Sequence, residues 1–113
     1  MTSRVLLGCF LAVLLLPDSI DATCVSGVVS SDYCKKDSSI RCQSQVKHVR
    51  FNPPFRKTPT VMVAISHLDI WNGQNTRATT YASGLSPHGF NVNIKTWSNT
   101  HMYRVEVNWM ACL

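Results

Sequence analysis

The sequence predicts an all-β fold, a six-stranded antiparallel β-sandwich in a single domain. Six short segments have the alternation or the β-branched composition of strands, and turn-forming residues separate them roughly every 8 to 12 residues. No segment has the apolar period of a long amphipathic helix. The sequence also lacks internal repeats and low-complexity segments.

The first three predicted strands occupy the amino-terminal two thirds of the chain. Residues 25–29 are apolar but interrupted by Gly27, which is typical of a first or edge strand. Residues 46–51 alternate weakly and end at an N-P-P sequence. Residues 60–68 contain the apolar, β-branched run V-M-V-A-I, which predicts a strand buried on both faces or at a sheet centre.

The last three predicted strands follow two polar connections. Residues 77–83 come after W-N-G-Q-N-T, and residues 86–89 (S-P-H-G) form a turn before the most informative stretch, residues 89–109. Two alternating strands are predicted there, each with one wet face. The polar side of the first contains Asn91, Asn93 and Lys95, and that of the second contains Arg104, Glu106 and Asn108. The same alternation places Trp97 on the wet side.

Residues 1–22 have the pattern of a secretory signal peptide. Arg4 precedes an unbroken apolar run over residues 5–16, and Pro17 and small or polar residues follow up to Ala22. The run is shorter than the roughly 20 apolar residues of a membrane helix. We therefore expect cleavage after Ala22 and a soluble, secreted chain of residues 23–113.

The four cysteines beyond residue 22 predict two disulfides, because an even count in an oxidising compartment is typically paired. Cys24 and Cys112 lie at opposite ends, so a bond between them would close nearly the whole domain. We favour this pairing, with Cys34 and Cys42 closing a short loop, while an intermolecular bond stays open. The spacing lacks C-x-x-C, and no metal is expected.

The charge of the secreted chain is basic. Loss of residues 1–22 removes one of 11 basic and two of 6 acidic residues, which leaves ten against four, a formal charge of +6. Such a charge attracts nucleic acid, anionic membranes or sulfated glycans. The basic residues are scattered singly or in pairs, which favours a solvated surface. No N-x-S/T glycosylation acceptor occurs.

Catalysis finds little support, and we expect no enzyme. No two of the four acids lie close together on one face, and the four histidines are isolated. A nucleophile elbow, an H-E-x-x-H motif and a phosphate-binding glycine loop are absent from the sequence. A Ser-His-Asp arrangement stays open, because its members assemble from distant positions.

A sugar-binding function fits the residues better. A sugar presents an apolar face of C–H groups and a rim of hydroxyls, which require one aromatic ring and fixed polar groups. Trp97 supplies an outward aromatic ring. Arg77 supplies a guanidinium, whose N–H donors form a rigid fork. Ser98 and Asn99 supply short polar groups.

Three other aromatic residues have competing interpretations. Tyr103 and Trp109 fall on the presumed core face of their strand and could supply packing alone. Trp71 lies in a loop beside Asn72 and Gly73, where it could be an exposed anchor or an oligomer contact.

Four motifs in fixed order carry a family resemblance. They are F-x-x-P-F at 51–55, I-S-x-L-D at 65–69, G-F at 89–90 and T-W-x-x-T at 96–100. Together they resemble the H-type lectin domain of snail agglutinins and slime-mould discoidins, over residues 49–111. The resemblance implies a six-stranded antiparallel β-sandwich that trimerises and binds terminal galactose or N-acetylgalactosamine between subunits. Residues 49–113 would form the lectin core, and residues 23–48 its first strand and disulfide-tied loop.

The resemblance also implies roles for individual residues. Arg77 matches the family's arginine that bonds sugar hydroxyls, and Trp97 and Tyr103 match its sugar-contacting aromatics. Tyr103 thereby moves from the presumed core to the rim of the site. The family's ligand-binding aspartate lies in the loop before the second strand, where Asp37 is the candidate and Asp32 the reserve.

Two positions depart from the family pattern. Ser98 stands where family agglutinins often have a histidine directly after the tryptophan, so selectivity for the N-acetyl group does not carry over. Ile94 stands where the best-known agglutinin has a half-cystine, so covalent joining of trimers does not carry over either.

The sequence is thus interpreted as a secreted, trimeric lectin for galactose-type or N-acetylgalactosamine-type glycans, with agglutinating or innate-defence roles. No cofactor is expected, because arginine and aspartate would replace the calcium of other lectins. Glycoproteins are the expected partners, with neither nucleic acid nor membrane insertion. The alternatives are a sandwich that has lost sugar binding and acts as a structural or interaction protein, and a cationic binder of sulfated glycans or microbial surfaces.

Overall fold

The computed structural model describes residues 23–34 and 44–113, which form six antiparallel β-strands and no helix. The all-β prediction is confirmed, and each segment predicted as a strand overlaps one of the six strands. The strands are β1 (Cys24–Ser30), β2 (Ser44–Arg50), β3 (Thr60–Ile70), β4 (Ala78–Ser86), β5 (Gly89–Thr96) and β6 (Met102–Cys112). Within these residues, no helix is long and apolar enough to span a bilayer.

Two three-stranded sheets make up the sandwich, in the orders β1-β6-β3 and β2-β5-β4. The central strands β5 and β6 carry the most deeply buried side chains, because each has a hydrogen-bonded neighbour on both sides. The core residues with at most 1% of their surface exposed are Phe90, Val92, Ile94, Met102, Val105, Val107 and Ala111. The apolar alternation read from residues 89–109 therefore faces the interior, as predicted.

One end of the core is aromatic. The ring of Phe51 packs edge-on against Phe55 with centroids 4.9 Å apart, and it lies 5.6 Å from Phe90 and 6.0 Å from Trp109. Phe90 and Trp109 also meet edge to face at 5.5 Å. Such tilted and edge-on pairs stabilise a core beyond the area they bury.

The prediction that residues 60–68 form a strand buried on both faces or at a sheet centre is wrong. β3 is an edge strand whose side chains alternate between half-buried and exposed, and Met62 is 71% exposed. Met62 pairs in register with Met110 of β6, which in turn pairs with β1, so apolar side chains lie together on part of the outer face of this sheet. Val28, Met62 and Met110 are here called the outer apolar patch.

The prediction that Asn93 faces water is also wrong. Asn93 lies on the outer face of β5, as the alternation requires, but only 7% of it is exposed. Its amide donates to the carbonyl oxygen of Tyr81 (3.1 Å) and to Ser83 Oγ (2.8 Å). Val46 and Tyr81 flank it in register, so neighbouring strands cover the amide and satisfy it.

The predicted disulfide between Cys24 and Cys112 is confirmed, and it joins the first residue of β1 to the last of β6. Cys34 is buried and also disulfide-bonded. Its predicted partner Cys42 and the predicted signal peptide lie outside the described residues.

Candidate functional site

Two loops pack together at the end of the sandwich where β6 begins. The loop between β3 and β4 and the loop between β5 and β6 share one buried hydroxyl, that of Thr100, which is 1% exposed. Thr100 Oγ1 accepts a hydrogen bond from the Arg77 N–H (3.0 Å) and donates one to the Asn75 carbonyl oxygen (2.7 Å). The N–H of Thr100 donates to the carbonyl oxygen of Trp97 at 3.3 Å. Thr100 thus fixes Arg77 and Trp97 relative to each other.

The Arg77 side chain is half-buried and oriented by an amide relay. Its Nη1 donates to Asn99 Oδ1 at 3.4 Å, and Asn99 Nδ2 donates to Gln74 Oε1 at 2.7 Å. A guanidinium carries five N–H donors in a rigid fork. Among the described side chains, Asn99 is its one acceptor, so most of these donors are left for solvent or a ligand.

Trp97 lies directly after the last residue of β5 and is 49% exposed, so its predicted outward orientation is confirmed. Ser98 follows at the tip of a tight turn, with a φ of 62° in the left-handed region. Its side chain is exposed. The tip therefore presents an exposed indole ring and an exposed serine in the loop whose Asn99 accepts a hydrogen bond from the Arg77 guanidinium.

Tyr103 is half-buried near the start of β6, and its ring packs edge-on against His101 at 5.4 Å. Burial raises the pKa of the Tyr103 phenol above its ordinary value, and electrostatic interactions with Tyr33 and Asp69 raise that pKa further. The Cys34 N–H also donates to the carbonyl oxygen of Tyr103 at 2.9 Å. Tyr103 therefore remains a hydroxyl donor at neutral pH, two residues beyond the loop that holds Trp97.

Of the two predicted acidic ligand residues, the structure describes Asp32, which bonds to β2 and forms no hydrogen bond with this cluster. Asp37 lies outside the described residues. The carboxylate of Asp32 is exposed and accepts a hydrogen bond from Lys47 Nζ at 2.7 Å, while its N–H donates to Gln45 Oε1 at 2.7 Å. These contacts tie Asp32 to β2. Asp69, which sequence reasoning did not select, is the carboxylate that influences Tyr103.

Trp71 has a structural position rather than an outward one. Its ring covers Gly73 so closely that a Cβ atom at residue 73 would overlap it, and the side chain is half-buried. Its N–H donates to the His101 carbonyl oxygen at 2.9 Å. Trp71 therefore packs within the loop that carries Arg77, and it is not the exposed anchor that the sequence suggested.

Sequence reasoning missed Gln74, Thr100 and His101 at this site. Thr100 was visible as the last letter of the T-W-x-x-T motif, but nothing in the sequence showed that its hydroxyl joins two loops. Gln74 belongs to the polar W-N-G-Q-N-T connection. In residues 23–34 and 44–113, no group of three or more His, Cys, Asp or Glu side chains could hold a metal ion.

The fold is thus an antiparallel β-sandwich with an arginine and an exposed indole in the loops at one end. Residues 46–112, more than half of the chain, match the H-type lectin domain, and the chain belongs to this family of carbohydrate-binding lectins.

Solved structures agree with this assignment. Recombinant discoidin II of Dictyostelium discoideum is 25% identical with a TM-score of 0.68, and the match covers 80% of this chain and 36% of that one. Wild-type discoidin II gives 25% identity and a TM-score of 0.67 over 79% and 35%. The tailspike of Pseudomonas phage phi297 shares the fold alone, with 16% identity and a TM-score of 0.53 over 80% and 15%.

One relative is similar in sequence. A protein of Fuscovulum blasticum, described as "ATP synthase subunits region ORF 7", is 38% identical over 63 residues. The match covers 56% of this chain and 55% of that protein, so the similarity spans about half the length of each.

Proposed function

We propose that this protein is a secreted, multivalent lectin that binds terminal galactose or N-acetylgalactosamine without catalysis. The observation that carries the proposal is the position of the half-buried Arg77 fork, held through Thr100 and Asn99 beside the exposed ring of Trp97. Family membership supports carbohydrate binding in general. Beyond family membership, we propose the class of sugar that is bound, the secretion of the protein and its assembly into a multivalent oligomer.

The two faces of a galactose-type sugar match the two groups. The apolar C–H face would stack on the Trp97 ring, and the hydroxyl rim would accept hydrogen bonds from the Arg77 guanidinium. Because Asn99 already holds one edge of the fork, less side-chain freedom is lost when the sugar binds. Tyr103, a neutral hydroxyl at physiological pH, would complete the rim.

A single shallow site leaves little binding free energy after desolvation, so useful affinity would come from several sites in one assembly. The outer apolar patch supports such an assembly. Met62, Val28 and Met110 are 71%, 61% and 47% exposed, and they lie together on the β1-β6-β3 sheet. Exposed apolar surface of this kind commonly marks a protein interface. We propose that three copies bury it.

Ser98 would set the preference between galactose and N-acetylgalactosamine. Its side chain is too short to reach as far as the histidine of family agglutinins, and its backbone occupies the left-handed region at φ 62°. Histidine tolerates this region better than most residues do. Ser98→His is therefore expected to raise affinity for N-acetylgalactosamine relative to galactose, measured by calorimetry on both sugars.

The proposal is tested by retention on a galactose-type column. We expect the protein to bind and to elute with free N-acetylgalactosamine. Trp97→Ala should lose retention, because the stacking ring is removed. Tyr81→Ala is the matched control. Tyr81 is an aromatic residue that is 41% exposed on the outer face of the β2-β5-β4 sheet, and its loss should leave retention on the column unchanged.

The other outcomes of this experiment separate the remaining functions. Failure of the wild-type protein to bind any sugar column would contradict the lectin proposal and favour a structural or interaction protein. Elution by moderate salt alone, with indifference to sugar, would favour a cationic binder of sulfated glycans, since exposed charge contacts are screened. Turnover of a glycan panel would contradict the absence of catalysis.

A further inference from the structure

An apolar cavity lies at the end of the sandwich opposite to the Arg77 and Trp97 cluster. Its volume is about 490 Å³, within the roughly 300 to 1,000 Å³ typical of small-molecule sites. Trp109 lines it and lies seven residues along β6 from Met102, which places the cavity about 23 Å from the sugar-site end. Arg50, which also lines the cavity, pairs with Gly89 at the start of β5, whereas Trp97 follows the last residue of β5. The cavity and the Arg77 and Trp97 cluster therefore lie at opposite ends of β5.

The F-x-x-P-F motif, which the sugar site does not use, forms one wall of this cavity. Phe51, Pro53, Pro54 and Phe55 all line it. Two backbone hydrogen bonds fix the motif to the turn between β4 and β5: Phe51 N–H donates to the His88 carbonyl oxygen (2.8 Å), and Phe55 N–H to that of Pro87 (2.9 Å). The wall is therefore preformed, as ligand sites usually are.

The opposite wall depends on Trp109. Its indole lies across Gly27 of β1, where an added Cβ would come within 2.7 Å of the ring. Phe51 and Phe90 hold the ring from the core side. Because a glycine at residue 27 lets the indole lie flat against β1, the large apolar ring faces the cavity in one fixed position.

Among the described residues that line the cavity, the charged side chains are all basic. They are Arg50 and Arg56, and both are exposed. In the described part of the chain, Arg50 forms no ion pair with a carboxylate. Guanidinium groups at the mouth of an apolar cavity complement a ligand with an apolar body and an anionic head.

We propose that this cavity is a second ligand site, separate from the sugar site, for a small amphipathic anion. Its ligand would have an acyl or aryl body that fills the space between Trp109 and the F-x-x-P-F wall. One carboxylate or sulfate head would lie at Arg50 and Arg56.

The experiment follows the fluorescence of Trp109 while matched ten-carbon probes are added. Trp71→Phe combined with Trp97→Phe leaves Trp109 as the single tryptophan and also replaces the proposed sugar-stacking indole. Decanoate, decanol and decyltrimethylammonium each have a linear chain of ten carbons, with a negative, a neutral and a positive head. We expect saturable binding below the micelle concentration, tightest for decanoate and weakest for the cation. Calorimetry on the unmodified protein repeats the comparison should the double variant fail to fold.

Charge removal then tests the two arginines. Arg50→Gln with Arg56→Gln should weaken decanoate binding about three- to tenfold per charge removed, while decanol binding changes little. Arg104→Gln is the control, because Arg104 is an exposed arginine on the outer face of the β1-β6-β3 sheet and pairs with Glu106.

Three results would overturn the proposal. The first is the absence of saturable decanoate binding, and the second is equal affinity for all three heads with no effect of the double Arg→Gln change. The third concerns the sugar site. Binding at this site is independent of sugar retention, so Trp97→Ala should bind decanoate like the wild type. Loss of decanoate binding in Trp97→Ala would place the probe at the sugar site and contradict a second site.

Discussion

The hydroxyl of Thr100 joins the loop of Arg77 to the loop of Trp97. It accepts from the Arg77 N–H at 3.0 Å and donates to the Asn75 carbonyl oxygen at 2.7 Å, while the Thr100 N–H closes a turn onto Trp97. A buried hydroxyl that is bonded on both sides is costly to remove, because its two partners would lose their hydrogen bonds out of reach of water.

Thr100→Val should therefore destabilise the protein by about 1 to 3 kcal/mol, since valine has the same shape without the hydroxyl. Sugar affinity should also fall, although no proposed ligand contact is changed, because Arg77 and Trp97 lose their common support. Urea unfolding and calorimetric titration measure the two effects. Thr79→Val, at an exposed strand position, is the control and should change neither. Unchanged sugar affinity in Thr100→Val would contradict the positioning role.

The outer apolar patch predicts how the assembly can be broken. Met62→Asp places a charge at the centre of the proposed interface, where burial without a partner is unfavourable. Sedimentation should then show a monomer where the wild type is a trimer, and agglutination should be lost with it. Val46→Asp is the control and should still assemble, because Val46 is 59% exposed on the outer face of the β2-β5-β4 sheet, away from the outer apolar patch. A monomeric wild-type protein, or a Met62→Asp variant that still assembles, would rule out this interface.

The disulfide between Cys24 and Cys112 closes a loop with a sequence separation of 88. Replacing both cysteines by alanine should lower the free energy of unfolding by about 4 kcal/mol, because the unfolded chain regains the freedom that the loop restricts. Urea unfolding of the oxidised proteins gives the value. The bond lies at the end of the sandwich away from Arg77, so sugar affinity should be preserved under native conditions. A loss below about 1 kcal/mol would show that the unfolded chain is not restricted as this loop length requires.

Tyr103 predicts a pH dependence in the alkaline range. Burial, with electrostatic interactions from Tyr33 and Asp69, raises the pKa of its phenol above the ordinary value of 10.0. The folded state then holds this proton more tightly than the unfolded state, so its contribution to stability is complete below pH 10 and is lost as pH rises through the folded pKa. Ultraviolet titration of tyrosinate should show a step above pH 10 that Tyr103→Phe lacks and Tyr81→Phe retains. A titration of Tyr103→Phe that matches the wild type would contradict the assignment.

The strand pattern and the disulfide between Cys24 and Cys112 could be predicted from the sequence, because they follow from residue alternation and from the positions of two cysteines at the chain ends. The alternation of Phe90, Val92 and Ile94 required one buried face, and two end-to-end cysteines allowed one long loop. Exposure of the other faces could not be read in this way. Met62 is apolar and exposed while Asn93 is polar and buried, since strand neighbours, and not residue type, decide how much water reaches each.

The residues of the candidate site also differ in how far the sequence could predict them. Arg77 and Trp97 could be selected because a guanidinium and an outward indole are chemically suited to a sugar. Thr100 and Gln74 could not, because their importance comes from hydrogen bonds between loops that are 25 residues apart in sequence. Asp37 was selected by resemblance alone and stays a prediction, since it lies outside the described residues.

The most direct test of the central claim is the nuclear magnetic resonance response of individual side chains to N-acetylgalactosamine. In ¹⁵N-labelled protein, the indole N–H of Trp97 and the guanidinium Nε–H of Arg77 should shift together along one saturable binding curve. The indole of Trp109, at the other end of the sandwich, should remain unchanged, and Trp97→Phe identifies the first signal by its absence. Shifts at Trp109 alone, or none at Trp97 and Arg77 with saturating sugar, would contradict a sugar site at this cluster.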